Sequence, residues 1–192
     1  MSRIKFAWGI TGSGHLLKES LECFEKMVEN GRRVDLFISS PAETVLKMYN
    51  LYNRLKEFIK NNQDQIKHIY REDEQPPAFP ICAKFNLHTY DLLILSPLTA
   101  NSVAKMNVGI ADSLITNIFS QMIKGNGQIY VVPCDLIPGI IKTTAPNGEI
   151  VEIRIDNFNS QNARCLRKFP TVSVFDHPSK LCEAAKNLYP LD

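Results

Sequence analysis

Four short stretches carry the residue types from which a polar ligand site could be built. They are Gly9-Ile10-Thr11-Gly12-Ser13-Gly14, Ser39-Ser40-Pro41, Pro97-Leu98-Thr99-Ala100-Asn101-Ser102 and Pro133-Cys134-Asp135-Leu136. In the first, glycines allow the main chain to turn tightly and approach an anion, and the start of a following helix adds its positive end. Thr11 and Ser13 add hydroxyl donors. The glycines do not follow the G-x-G-x-x-G spacing, and the Lys-Ser/Thr ending of a P-loop is missing. A phosphate seat and a purely structural strand-to-helix turn both fit this stretch. Ser39 and Ser40 could share the same anion or simply cap a helix, with Ser40 as one choice of cap, Pro41 first in the helix and Glu43 third.

The third stretch is the richest. Pro97 interrupts a strand ladder, and Thr99 to Ser102 gather hydroxyl and amide groups at a new helix start. Asn101 offers both an acceptor and donors, and Ala100 leaves the approach open. Asn107 and Gly109 interrupt the helical pattern as if shaping a wall. The competing reading is a helix capped by Thr99 or Asn101, followed by a second helix that uses Asp112. In the fourth stretch Asp135 could accept hydrogen bonds from ring nitrogens or cap a turn. A nucleophilic Cys134 needs an activating base, and no histidine or basic residue is adjacent in sequence. His15 could approach a ligand or remain a solvated or capping residue, and Trp8 reads as core or interface packing. His15, His68, His88 and His177 lack ligand spacing, and Asp91, Asp112 and Asp135 form no acid–base pair in sequence. No metal site is expected and no catalytic residue is assigned.

These stretches need a scaffold. Apolar runs at Ile4 to Ile10, Val34 to Ile38, Tyr90 to Leu95, Gln128 to Val132 and Thr171 to Phe175 read as strands. Helical spacing covers Leu16 to Asn30, Ser40 to about Tyr52, Thr99 to Lys105, Ile110 to Met122 and Pro178 to Asn187. Residues 53–80 read as a helical piece and an exposed polar excursion that includes Asp73-Glu74-Gln75-Pro76-Pro77, and 140–156 as a hairpin. Apolar strands alternating with helices imply an α/β protein with a mostly parallel sheet covered on both faces. Such sheets bind ligands beyond the carboxyl ends of their strands, where all four stretches fall.

The 192 residues are 44% apolar and fit a single domain over 1–192. Lys and Arg number 22 against 20 Asp and Glu, which argues against a nucleic-acid partner. No apolar run reaches the roughly 18 residues of a membrane span, and early glycines argue against a signal peptide. Five cysteines, an odd number without a C-x-x-C pair, fit reduced thiols and a cytoplasmic location.

Residues 6–20, FAWGITGSGHLLKES, and 96–117, SPLTANSVAKMNVGIADSLITN, resemble the flavoprotein family of FMN-binding cysteine decarboxylases and flavin prenyltransferases. With VPCDLIPGIIKTTAPNGEIVEIRIDNFNSQNARCL, the chain is most similar to the archaeoflavoprotein and acceptor-type dihydromethanopterin reductase branch. The resemblance implies a Rossmann-like, flavodoxin-type three-layer sandwich, bound FMN, and a homotrimer or an assembly of trimers. It places FMN among Thr11, Gly12, Ser13, Ser39, Thr99, Ala100, Asn101, Ser102 and Asp135, with Gly12 and Ser13 on the phosphate and Ser39 adding a hydroxyl. The decarboxylases' Pro-x-Met-Asn loop is replaced by Pro133-Cys134-Asp135-Leu136, and their upstream histidine by Ile81-Cys82-Ala83-Lys84-Phe85. Both departures weaken decarboxylation. The resemblance then implies an FMN-dependent oxidoreductase that reduces dihydromethanopterin or a related dihydropterin with electrons from an external donor. The alternatives are an electron carrier for ferredoxin or an iron–sulfur flavoprotein, and a non-redox lyase or prenyltransferase.

Overall fold

A computed structural model describes residues 4–76 and 78–188. Pro77, inside the expected excursion, and the two ends of the 1–192 span lie outside the described residues. The chain runs β1 (Lys5–Ile10), α1 (Leu17–Glu29), β2 (Arg33–Ile38), α2 (Ser40–Met48), α3 (Tyr52–Asn61), β3 (Ile69–Arg71), the short α4 (Ala83–Asn86) and β4 (Leu92–Leu98). It continues through α5 (Ala100–Asn107), α6 (Leu114–Lys124), β5 (Gln128–Pro133), β6 (Gly139–Thr144), β7 (Ile150–Ile155), α7 (Asn157–Cys165), β8 (Val172–Val174) and α8 (Pro178–Leu188).

Six strands form one sheet in the order β3-β2-β1-β4-β5-β8, with every neighbouring pair parallel. The strand alternation divides the core in two. Phe6, Trp8 and Ile10 of β1 pack with Leu36 of β2 and Ile94 of β4 against Leu17, Leu21 and Phe24 of α1 and Leu181 of α8. Ala7, Phe37, Leu93 and Leu95 point the other way and meet Val103 and Met106 of α5, Ile115, Ile118 and Phe119 of α6, and Ala163 of α7. Two helical layers over a parallel sheet follow from strands that are buried on both faces. Each large apolar side chain removed from water contributes roughly 1.5–3 kcal/mol, so both layers are held mainly by burial.

The fold class expected from the sequence is the observed one, while several boundaries move. The helix after β2 is capped by Ser39, whose hydroxyl accepts from the Ala42 N–H, so Ser40 is already helical and Pro41 follows it. That helix stops at Met48, where Asn50 adopts a left-handed φ of 57°, and α3 begins separately. The start of α6 is capped by Ser113 in a reciprocal box with Thr116, not by Asp112, which instead binds Lys105. Pro97 does not end β4. The strand continues to Leu98 through a cis Ser96–Pro97 peptide, and its register against β5 shifts between Leu95 and Leu98. The polar 53–80 region contributes β3 as an edge strand, and α7 arises where the sequence pattern gives no strong apolar face. Gly139 to Ile155 form an antiparallel hairpin outside the main sheet.

Candidate functional site

Strand order reverses between β1 and β4, which opens a crevice at the carboxyl edge of the sheet. Thr11 joins the two loops there. Its buried hydroxyl donates to the Pro97 carbonyl at 2.8 Å and accepts from the Thr99 N–H at 2.9 Å. The Thr11 N–H also donates to the Pro97 carbonyl, at 3.2 Å. Thr11 therefore fixes where β4 hands over to α5, and its hydroxyl hydrogen is committed to that task.

The cleft beside this junction has a volume of about 280 Å³. Thr11, Gly12, Ser39, Thr99, Asn101 and Ser102, six of the residues expected from the sequence, line it together. Thr99 caps α5: its hydroxyl accepts from the Ser102 N–H at 3.4 Å and donates to the Ser102 hydroxyl at 3.1 Å. That arrangement leaves the Ser102 hydroxyl hydrogen free to turn outward. Ser39 likewise accepts from Ala42 N–H at 3.1 Å, and its own hydrogen meets no acceptor among the described residues. Asn101 is exposed on the first turn of α5, with its amide open to the cleft. Ala100, half-buried in the first helical position, brings no side chain beyond a methyl group to the opening.

Gly12 has a packing reason to be glycine. A Cβ there would stand 2.6 Å from the Pro41 Cβ and 2.9 Å from its carbonyl carbon, so the loop can lie against the start of α2 only without a side chain. A Cβ on Gly14 would collide with the Tyr49 hydroxyl.

Ser13, Ala100 and Asp135, also expected at the site, do not line this cleft. The Ser13 N–H donates to the Thr11 carbonyl at 2.9 Å, and its hydroxyl donates to the His15 carbonyl at 3.2 Å while accepting from the Cys134 thiol at 3.0 Å. Both Ser13 donors are thus used within the protein. Cys134 is buried, and desolvation pushes its thiol up to about 12, against the opposing effect of the Ser13 hydrogen bond. It is a protonated packing residue at neutral pH. Burial also raises the Asp135 carboxyl and lowers the His15 imidazole, each opposed by the other's charge. His15 Nδ1 lies 3.3 Å from the Thr143 hydroxyl of the hairpin, and the Tyr49 hydroxyl donates to the Thr144 carbonyl at 3.0 Å. Between them lies a second cleft, of about 370 Å³.

Two side chains at the first cleft escaped the sequence reading. Lys105 lies one turn beyond Asn101 and holds both Asp112 oxygens at 2.8 and 2.9 Å, which keeps that carboxyl below its ordinary range. Glu72 follows β3 and reaches back into the cleft, where Oε2 accepts from Ser40 N–H at 2.8 Å and Oε1 from Leu114 N–H at 2.7 Å. In sequence, Glu72 directly precedes Asp73-Glu74-Gln75-Pro76-Pro77 within the polar excursion, and nothing local marks it as a residue that turns inward.

Residues 1–179 match the family model described as Flavoprotein. The chain is 41% identical over 143 residues to a dihydromethanopterin reductase (acceptor) of Methanosarcina mazei, a match covering 73% of this chain and 59% of the relative. A protein of the same description from Methanocaldococcus jannaschii is 39% identical over 145 residues, or 74% of this chain and 58% of the relative. The match thus spans less than two thirds of the length of these two curated relatives. Among solved structures, the chain superposes on Burkholderia xenovorans DmrB, determined in complex with FMN and described as a cubic protein cage for redox transfer. The TM-score is 0.77 at 31% identity, covering 97% of this chain and 96% of that one. With the family model matching residues 1–179, the chain belongs to the Flavoprotein family.

Proposed function

We propose that this chain binds FMN in the switch-point cleft and acts as an FMN-dependent oxidoreductase, reducing dihydromethanopterin or a related dihydropterin with electrons from an external donor. The observation that carries the reading is the donor set at the start of α5. The Ser102 hydroxyl and the Asn101 amide stand at that helix start, the Ser39 hydroxyl at the cap of α2 lines the same cleft, and Lys105 lies one turn further along α5. Hydroxyls, an amide and the positive end of a helix suit a phosphate monoester. The family match and the FMN-bound relative support flavin as the rest of the ligand. Bound FMN supplies a carrier that accepts one or two electrons and passes them on.

The chain's own residues bind and orient. Thr11 sets the distance between the β1 and β4 loops, Gly12 lets the β1 loop lie close to α2, and Asn101 and Ser102 hold the anion. A cleft of about 280 Å³ falls just below the roughly 300–1,000 Å³ usual for small-molecule sites. It accommodates part of the ligand and leaves the remainder to extend from it. We assign the covering of that remainder to neighbouring copies in a homotrimer or an assembly of trimers. Ile140 and Ile150 of the hairpin and Phe158 of α7 are 70%, 73% and 72% exposed, apolar side chains that association would cover.

A second reading rests on a specific observation. Among the described residues lining the cleft, Lys105 is tied to Asp112 and Glu72 to two N–H groups, so neither is placed to hand a proton to a substrate. That favours simple electron exchange with ferredoxin or an iron–sulfur flavoprotein. A non-redox lyase is disfavoured by the loop Pro133-Cys134-Asp135-Leu136 and by the buried, protonated Cys134.

The test is anaerobic reduction of the FMN-loaded protein, followed by separate additions of a dihydropterin and of oxidised ferredoxin. Flavin reoxidation with one tetrahydropterin formed per flavin supports the reductase. Reoxidation by ferredoxin alone replaces it with the carrier, and reoxidation by neither overturns both.

A further inference from the structure

Four helix starts border the two clefts at the carboxyl edge of the sheet, and they are not equivalent. The start of α1 follows the Gly14–Leu16 turn and borders the second cleft. Those of α2, α5 and α6 border the first. At α2 and α6, the first helical N–H, from Ser40 and Leu114, is taken by the two oxygens of one carboxylate, Glu72. At α5 the neighbours are hydroxyls and the Asn101 amide, with no carboxylate hydrogen-bonded there among the described residues.

Glu72 differs from the acidic residues around it. Asp73 and Glu74 are exposed, while Glu72 is half-buried. The adjacent Arg71 pairs with Glu43 and Glu74, so the Glu72 charge is met by helix N–H groups and not by that guanidinium. A carboxylate at a helix N-terminus is stabilised by the same donors that would hold a phosphate oxygen. It is already in place and covalently tethered, so a ligand phosphate would have to displace it and also approach a like charge.

We propose that Glu72 is a specificity-determining residue of this cleft, an internal anion that closes the starts of α2 and α6 to phosphate and so confines a ligand phosphate to the start of α5. The proposal rests on the reading of the cleft as a flavin site. It also gives the polar 53–80 region a role: β3 docks on β2, and the residue after it delivers the carboxylate across the cleft.

The experiment compares the affinities of the flavin-free protein for FMN and for riboflavin, which lacks the phosphate, by flavin fluorescence in wild type, Glu72→Ala and Glu72→Gln. The FMN-to-riboflavin affinity ratio should rise about tenfold in Glu72→Ala as two charge-assisted anion positions open and a like charge is removed. It should rise less in Glu72→Gln, which removes the charge and keeps the bulk. A purely structural strap would weaken both flavins together and leave the ratio unchanged, and that result overturns the proposal. If Glu72→Ala does not fold, Glu72→Gln decides alone. A second readout does not use flavin: inorganic sulfate, compared with chloride at equal ionic strength, should raise the melting temperature of the Glu72 variants more than that of wild type. If wild type binds neither flavin, the flavin reading fails, and sulfate alone decides whether Glu72 occupies an anion position. Equal sulfate effects in wild type and variants would overturn that as well.

Discussion

The two sides of the Gly12–Gly14 loop are built from neighbouring residues and have opposite chemistry. On one side, Ser39, Asn101 and Ser102 have ordinary polar donors left facing a cleft after the helix caps are made. On the other, Cys134, His15 and Asp135, the residue types usually associated with reactivity, are desolvated, and Ser13 has spent its donors internally. Reactive residue types close together do not make a reactive site. What counts is which donors remain once the protein's own hydrogen bonds are satisfied.

The largest break in this contrast should come from Gly12→Ala. The new Cβ meets Pro41 main chain and ring, neither of which can swing aside, so the β1 loop or the start of α2 must move. Overpacking of this kind costs about 1–3 kcal/mol, and flavin retention should fall with it. Chemical denaturation and flavin titration would measure both; unchanged stability would show that the loop has slack.

Thr11→Val should come next. It keeps the shape but leaves the Thr99 N–H unpaired, at a cost of about 1–3 kcal/mol, and releases the α5 start from β1. Weaker flavin binding together with a lower denaturation midpoint is expected. Normal binding at reduced stability would separate Thr11 from the site.

Asn101→Ala sharpens the comparison because Asn101 is exposed and its side chain makes no hydrogen bond among the described residues. Losing one ligand hydrogen bond, worth about 1 kcal/mol, should weaken FMN roughly fivefold and leave the melting temperature unchanged. Equal affinity in the folded variant would remove Asn101 from the site.

The smallest effect belongs to the other side. Cys134→Ser should leave flavin binding near wild type. The thiol's raised pKa fixes the sign of a pH effect: above about pH 9 the unfolded chain loses this proton while the native chain keeps it. That contribution to stability is complete below about pH 9 and is lost as pH rises toward about 12. Cys134→Ser should flatten this part of the stability profile. Rapid alkylation of native Cys134 at neutral pH would contradict its assignment as a protonated packing residue.

Much of the framework was legible because apolar periodicity is a local signal. The strands containing Trp8, Leu36, Ile94 and Val131 and the apolar faces of α1 and α6 need no tertiary information. The strand-end position of Ser39 and Thr99 was equally legible. Long-range choices were not. The role of Gly12 depends on Pro41 arriving beside it, and that of Ser13 on a thiol 121 residues away. Glu72 bonds to residues 32 and 42 positions distant in opposite directions along the chain. The edge strand β3 has only three residues, all half-buried, too few to show an alternation.

The most direct measurement is a crystal structure of the FMN-loaded protein. The account predicts the phosphate within hydrogen-bonding distance of the Ser102 hydroxyl or the Asn101 amide at the start of α5, with Glu72 still bound to Ser40 and Leu114. A phosphate in the second cleft, beside His15 and Lys142, would contradict it.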